Sequence, residues 1–266
     1  MANPQRDVRR RRRTAILAGV ILTTLATVLV VQPLGAFSLL QRAFPEILWR
    51  VPTTEPLVAL SFDDGPDPVF TPRVLEILRR HGARATFFLI AERALQRPDL
   101  VARIRAEGHE VANHYATPRS ALRDDDAGFL EALAFTDRVL GIESGGLRLF
   151  RPPGGIARPS QLALARRSGH TVVLGSAYPF DPLPPPTAYI RWLVVRNLAS
   201  GVIVILHDGI RDPSRSIAAL PGILDAGRER GLRFVSVGEL LSRADRRGVL
   251  ALTPNSSAPI GLPHGS

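Results

Sequence analysis

Residues Val58 to Pro68 read VALSFDDGPDP. An apolar run ends in two adjacent acids, Asp63 and Asp64, and breaks at Gly65-Pro66. Neighbouring residues on a strand point to opposite faces, so the two carboxylates diverge and suit separate tasks. One can serve a divalent cation while the other takes a proton, and a cation beside them relieves their repulsion. They make a poor pair for glycoside hydrolysis, which needs two carboxyls facing each other across a sugar, roughly 5 to 9.5 Å apart.

Working outward, short apolar runs alternate with helical segments. The strand candidates are LVALSF, ATFFLI, HEVAN, LRLFR, TVVLGS, VIVILH and RFVSV. Most are continuously apolar, as strands buried on both faces are. Helical stretches between them, such as PRVLEILRRHG and DAGFLEALAFTDRVLG, close on glycine. About seven strands with intervening helices predict an α/β fold, a parallel (β/α) barrel or a doubly wound sheet. In both, active sites gather at the C-terminal ends of strands. Asp63, Asp64, Asn113, His114, Arg151, Asp181, His207 and Asp208 all fall there. His81, His109 and His170 precede strands and fall on the opposite rim, so only His114 and His207 join the acids.

Composition narrows the chemistry. Cysteine is absent, which excludes disulfides and thiolate metal sites. No serine sits in a nucleophile elbow, so covalent acyl transfer has no evident nucleophile. Metal-assisted hydrolysis fits best: a carboxylate and a histidine on the cation, a second carboxylate as base, a second histidine as acid.

The net charge of +10 invites a nucleic-acid reading. Its placement argues against one, because Arg9 to Arg13 form one block directly before the uncharged run Thr14 to Val31. Only 6% of residues are aromatic, poor for base stacking. An apolar run of this length can span ~30 Å of hydrocarbon, and the flanking arginines hold that side in the cytoplasm. The expected organisation is a basic cytoplasmic segment (1–13), a transmembrane signal-anchor (14–34), a linker (35–55), a catalytic domain (56–242) and a disordered tail (243–266). A cleaved signal peptide is the alternative to the anchor. The catalytic domain is expected outside the cytoplasm, on a single-pass membrane protein with no protein partner.

Five stretches in order, SFDDGPD with ATFFL, GHEVANH, FRPPGG and VIVILHDG, resemble the successive motifs of the polysaccharide deacetylase family, carbohydrate esterase family 4. The resemblance runs from about Leu57 to Leu241. VLGSAYPFDP looks most like the chitin-deacetylase-like branch. The resemblance implies a distorted (β/α) barrel that removes acetyl groups from N-acetylglucosamine polymers or acetylated xylan. It implies Asp63 as general base for the attacking water, Asp64 and His114 as metal ligands, and Arg151 as the group that holds Asp63. His207 is implied as general acid, tuned by Asp181, with Pro152, Leu206 and Tyr178 at the substrate. The implied cofactor is a divalent cation, zinc first, with cobalt or nickel as the others.

Two departures stand out. The family usually carries a second metal histidine four residues after the first, and here that position is Pro118. Asp124, Asp125 or Asp126 could supply the third ligand, a water could fill its place, or the metal is lost and the domain only binds glycan. A solvated helix-capping run is the blander reading of the three aspartates. FRPPGG also lacks the aromatic that often follows its prolines, which opens one wall of the groove.

Overall fold

The computed structural model describes residues 30–244 continuously, and before them residues 16, 18–20, 22–24, 27 and 28. Eight parallel strands form one sheet: β1 (Ile47–Leu48), β2 (Leu57–Gly65), β3 (Thr86–Leu89), β4 (Glu110–Asn113), β5 (Arg148–Phe150), β6 (His170–Val173), β7 (Ile203–His207) and β8 (Arg233–Val235). The order is β1-β6-β5-β4-β3-β2-β7, with β8 pairing the start of β2. All seven expected strands are present. The eighth, β1, is two residues long and carries too little pattern to read.

The sheet curls into a distorted barrel without a continuous ladder between β6 and β7. Closure rests on two isolated bridges, Ala177 with Val204 after β6 and Arg50 with Val202 after β1. Gly175 makes the turn: its φ is +118°, and a Cβ there would lie 2.9 Å from Ile205 Cγ1. Only glycine tolerates that crossing.

Alternation on the strands divides the core in two. Leu57 and Ala59 of β2 pack inward with Phe88, Leu149, Val173 and Ile203. Val58, Leu60 and Phe62 pack outward against α2 (Phe70–Arg80), which offers Val74, Leu75 and Leu78. By the same period of two, Ser61 and Asp63 continue the inward face. Asp64 falls where the β2–β3 register shifts, at φ +69°. The divergence expected of the acid pair is therefore built into the strand and sharpened by a bulge.

The stretch expected as a linker is packed structure. It carries α1 (Leu34–Ala43) and β1, which pairs with β6. Gln41 bridges them: its Nε2 donates to Ile47 O and its Oε1 accepts from Trp49 N, each at 3.0 Å. Side-chain hydrogen bonds of this kind, together with burial of Leu48 and Val51, hold the stretch against the barrel. Among the described residues no helix is long and apolar enough to cross a membrane. The expected anchor falls partly, and the basic segment and the tail from residue 245 wholly, outside the described residues.

Candidate active site

The C-terminal rim brings the predicted residues together inside the barrel mouth. Asp63 is the register partner of His207. Arg151, just past β5, reaches across the interior and pairs through Nη1 with Asp63 Oδ1. That guanidinium is fixed on three further sides. Its Nη1 donates to Ser61 Oγ at 2.9 Å and its Nε to Val173 O at 3.1 Å, and Cζ lies 4.0 Å from the centre of the Phe88 ring. Asp63 and Arg151 are both buried. A buried ion pair anchored this way holds one carboxylate oxygen and leaves Oδ2 free.

His207 closes the opposite side. Its Nδ1 lies 2.8 Å from Asp181 Oδ1, while its backbone N–H donates to Asp181 Oδ2 at 2.9 Å. Ser216 Oγ donates to that same oxygen at 2.8 Å. Burial opposes a charged imidazole, but the carboxylates of Asp181, Asp63 and Asp64 outweigh it and raise His207 to about 9. The ring is therefore protonated at neutral pH, with Nε2–H as the proton not committed to Asp181.

His114 meets the acid pair from β4. Its Nδ1 is 2.8 Å from Arg151 O. A carbonyl only accepts, so Nδ1 carries a proton and Nε2 is turned toward the acid pair. Nε2 faces Asp64 Oδ1 at 3.4 Å and Asp63 Oδ2 at 4.0 Å. Burial pushes Asp64 up, yet His114, His207 and Arg93 pull it down to about 2, so it is ionised. Arg93 Nη1 also donates to Asp64 O at 2.6 Å and to Gly209 O. Gly209 permits the close approach, since a Cβ there would lie 2.0 Å from Asp64 O.

A carboxylate facing the outer nitrogen of an imidazole whose other nitrogen is held by a carbonyl suits a divalent cation, which would take the place of a proton between them. Asp64 and His114 are the two side chains so placed, and among the described residues no group of three or more His, Asp or Glu side chains could hold a metal. The three candidate aspartates are engaged elsewhere. Asp124 accepts from Tyr115 Oη and Arg119 Nη2, each at 2.7 Å. Asp125 caps α5 (Asp126–Leu140) through Gly128 N at 2.8 Å, and Asp126 accepts from Ser160 Oγ at 3.0 Å.

A cavity of about 740 Å³ opens in front of Asp63, Arg151, Tyr178 and His207. The Tyr178 ring lies 5.9 Å from that of His207. Leu206 is not at this cavity. It points outward into the core with Val204, and Ile205 lines the cavity instead. The period of two explains the exchange: Ile205 and His207 share the inward face. Pro152 is buried and is not part of the cavity lining. Asn113 is structural, donating to Asp137 Oδ1 at 2.8 Å and Leu133 O at 3.0 Å.

Sequence reasoning missed Ser61, Ser216 and Arg93, whose partners lie 90, 35 and 29 residues away along the chain. It also left Asp208 without a role. That carboxyl is fully buried, raised to about 7 by burial, and accepts from Thr71 Oγ1 at 2.5 Å.

A held carboxylate facing a charged histidine at the mouth of a parallel barrel is an arrangement suited to general acid–base chemistry. Comparison with known proteins gives the family. The family description Polysaccharide deacetylase matches residues 50–173. A Bacillus cereus peptidoglycan-N-acetylglucosamine deacetylase is 40% identical over 201 residues, covering 73% of this chain and 92% of the relative. A Sinorhizobium fredii chitooligosaccharide deacetylase is 36% identical, covering 68% and 90%. The structure of a family 4 acetyl xylan esterase from Clostridium thermocellum, in complex with a cobalt ion, matches with a TM-score of 0.64 at 29% identity, covering 70% and 90%. The chain belongs to the polysaccharide deacetylase family, and it is a hydrolase of that class.

Proposed function

We propose that the protein hydrolyses the acetamide of N-acetylglucosamine units in a glycan outside the cytoplasm, with peptidoglycan first and chitin-type oligomers second. The reading is carried by one observation: Asp63, fixed by Arg151, and His207, charged by Asp181, line one cavity. Asp63 Oδ2 takes the proton of the attacking water as oxygen bonds to the acetyl carbon. His207 then donates its Nε2 proton to the amide nitrogen as the C–N bond breaks, releasing acetate and a free amine. Tyr178 stays a neutral phenol, because burial and the carboxylates of Asp181, Asp63 and Asp64 push its ionisation up. Asp64 and His114 would hold a divalent cation, zinc first, which polarises the acetyl carbonyl and makes water a better nucleophile.

The relative's name supports peptidoglycan, and the shared acid–base chemistry leaves an O-acetyl xylan esterase as the alternative within enzymes. Pro118 and the two-ligand set favour one rival of another class, a glycan-binding protein without turnover. The test uses the full chain in detergent. Acetate release is followed on peptidoglycan, chitin oligomers and acetylated xylan, before and after chelation and on return of zinc, cobalt or nickel. Release that disappears with the chelator and returns with metal supports the proposal. Glycan binding with no acetate under any metal establishes the rival.

We also propose that the apolar run from Thr14, ahead of the residues fastened to the barrel, holds the chain at the membrane, with residues 56–242 on the outer side. The motivation is the arginine block Arg9 to Arg13 before an uncharged apolar run. Protease added outside intact spheroplasts should digest the domain. Protection of the domain until lysis reverses the orientation.

A further inference from the structure

Much of the wall facing Asp63 and His207 comes from ahead of the barrel. Val28, Phe37, Leu40 and Trp49 line the same cavity as Asp63, Arg151 and His207. Phe37 and Trp49 form an aromatic pair, with centroids 6.0 Å apart and planes tilted by 44°. The barrel's own contribution on the β5 side is bare: Gly154 and Gly155 line the cavity, and a Cβ at Gly154 would meet nothing within 4 Å.

The N-terminal wall is fastened, not merely adjacent. Gln32 is buried at φ +48°. Its Oε1 accepts from Tyr178 N at 2.8 Å, and its Nε2 donates to Tyr178 O. The side-chain amide thus mimics a strand partner for the residue whose ring stands beside His207. Two further bonds hold the preceding backbone, from Asn197 Nδ2 to Val31 O at 3.2 Å and from Tyr189 Oη to Val30 O at 3.1 Å. An uncommon backbone conformation for a non-glycine residue persists only where its surroundings fix it.

We propose that residues 30–49 are a permanent wall of the substrate cleft, and that Phe37, Leu40 and Trp49 determine specificity by seating the apolar face of the sugar whose acetamide reaches Asp63 and His207. A sugar fits this lining. The cavity pairs an apolar, aromatic lining with a few convergent polar groups, the composition of a small-ligand site. The C–H face of a pyranose packs on aromatic rings, while its substituents turn toward the polar side. Gln32 is a positioning residue here, acting through Tyr178. The inference rests on the deacetylase reading for its substrate.

The experiment uses the full chain in detergent with an N-acetylglucosamine tetramer. Steady-state acetate release gives KM and kcat, and calorimetric titration of the Asp63→Asn background gives Kd without turnover. Phe37→Ala and Trp49→Ala should each raise KM and Kd about tenfold, the scale of a lost apolar contact in a pocket, with kcat within about twofold. Gln32→Ala should raise KM in the same direction. Leu39→Ala is the control. Leu39 is exposed on the same helix and does not line the cavity, so both constants should stay fixed.

Unchanged KM and Kd in Phe37→Ala and Trp49→Ala overturn the inference even if the wild type is fully active. Loss of kcat alone, tracking a lower melting temperature, also overturns it, since that is the mark of a merely structural segment. If the wild type releases no acetate but the two variants weaken Kd tenfold, the wall stands and the catalytic reading falls.

Discussion

Two buried histidine–aspartate pairs sit at opposite ends of this barrel. His207 ends β7 and lies 2.8 Å from Asp181; His170 begins β6 and lies 3.0 Å from Asp137. The distances hardly differ, so distance does not distinguish a working pair from a structural one. Their company does. Asp137 is shared with Arg148 and with Asn113. Its charge is therefore divided among a permanent cation, an amide and the His170 ring. Asp181 has only Ser216 and His207 as side-chain partners among the described residues, so its charge acts on the imidazole. The first pair opens onto a cavity, whereas the second is closed in by Phe150. Strand direction puts loops of free sequence over one end only, and charge balance decides whether the histidine there is held ready with a proton.

The sharpest ways to break this contrast begin at the base. Asp63→Asn should lower kcat by about 10⁴-fold, the upper range for a general base, measured as acetate release with the full chain. Retention of more than a tenth of the activity removes Asp63 from that role. His207→Ala should cost about 10³-fold in kcat on the same scale, with the glycan Kd nearly unchanged.

Asp181→Asn comes next and tests the contrast directly. The wild-type rate should fall as pH rises past about 9, where His207 loses its proton. In the variant that alkaline limb should move down by at least one pH unit, because the chief carboxylate supporting the charge is gone. Asp137→Asn must leave the limb where it is; an equal displacement would erase the distinction between the two pairs.

The smallest effects concern stability. His170→Ala should leave kcat/KM intact and cost about 2 kcal/mol of unfolding free energy, the scale of a broken buried polar contact, read by chemical denaturation. For His207 the folded value near 9 lies above the ordinary 6.5. A raised value means protonation favours the folded state. That stabilisation is complete below about pH 6.5 and disappears as pH climbs through 9, which thermal melts across the range will register.

The barrel was legible because its strands are nearly uninterrupted apolar runs, and the rim was legible because reactive residues stood at their ends. Asp63, His114, Arg151 and His207 converge as the sequence led one to expect. Leu206 was assigned to the cavity when the parity of its strand, counted back from His207, points to Ile205. β1 was invisible at two residues, and the stretch around it read as a linker because Pro45, Pro52 and Pro56 masked any period. Helix α7 (Thr187–Asn197) was passed over because it shows little separation of apolar and polar faces. The Gln32 clamp could not be read at all, since its partner lies 146 residues away. An amide side chain carries no sign in sequence of which distant backbone it will satisfy.

That clamp has a consequence for where the enzyme works. A glutamine bonded to the lip of the cleft and followed by a helix packed on the barrel leaves no slack between residue 32 and the reacting atoms. With the residues ahead of that fastened stretch at a bilayer, as proposed, the cleft has no long tether on which to roam. It stands at a fixed height and heading above the lipid, and a glycan strand is modified only where its path brings it to that station.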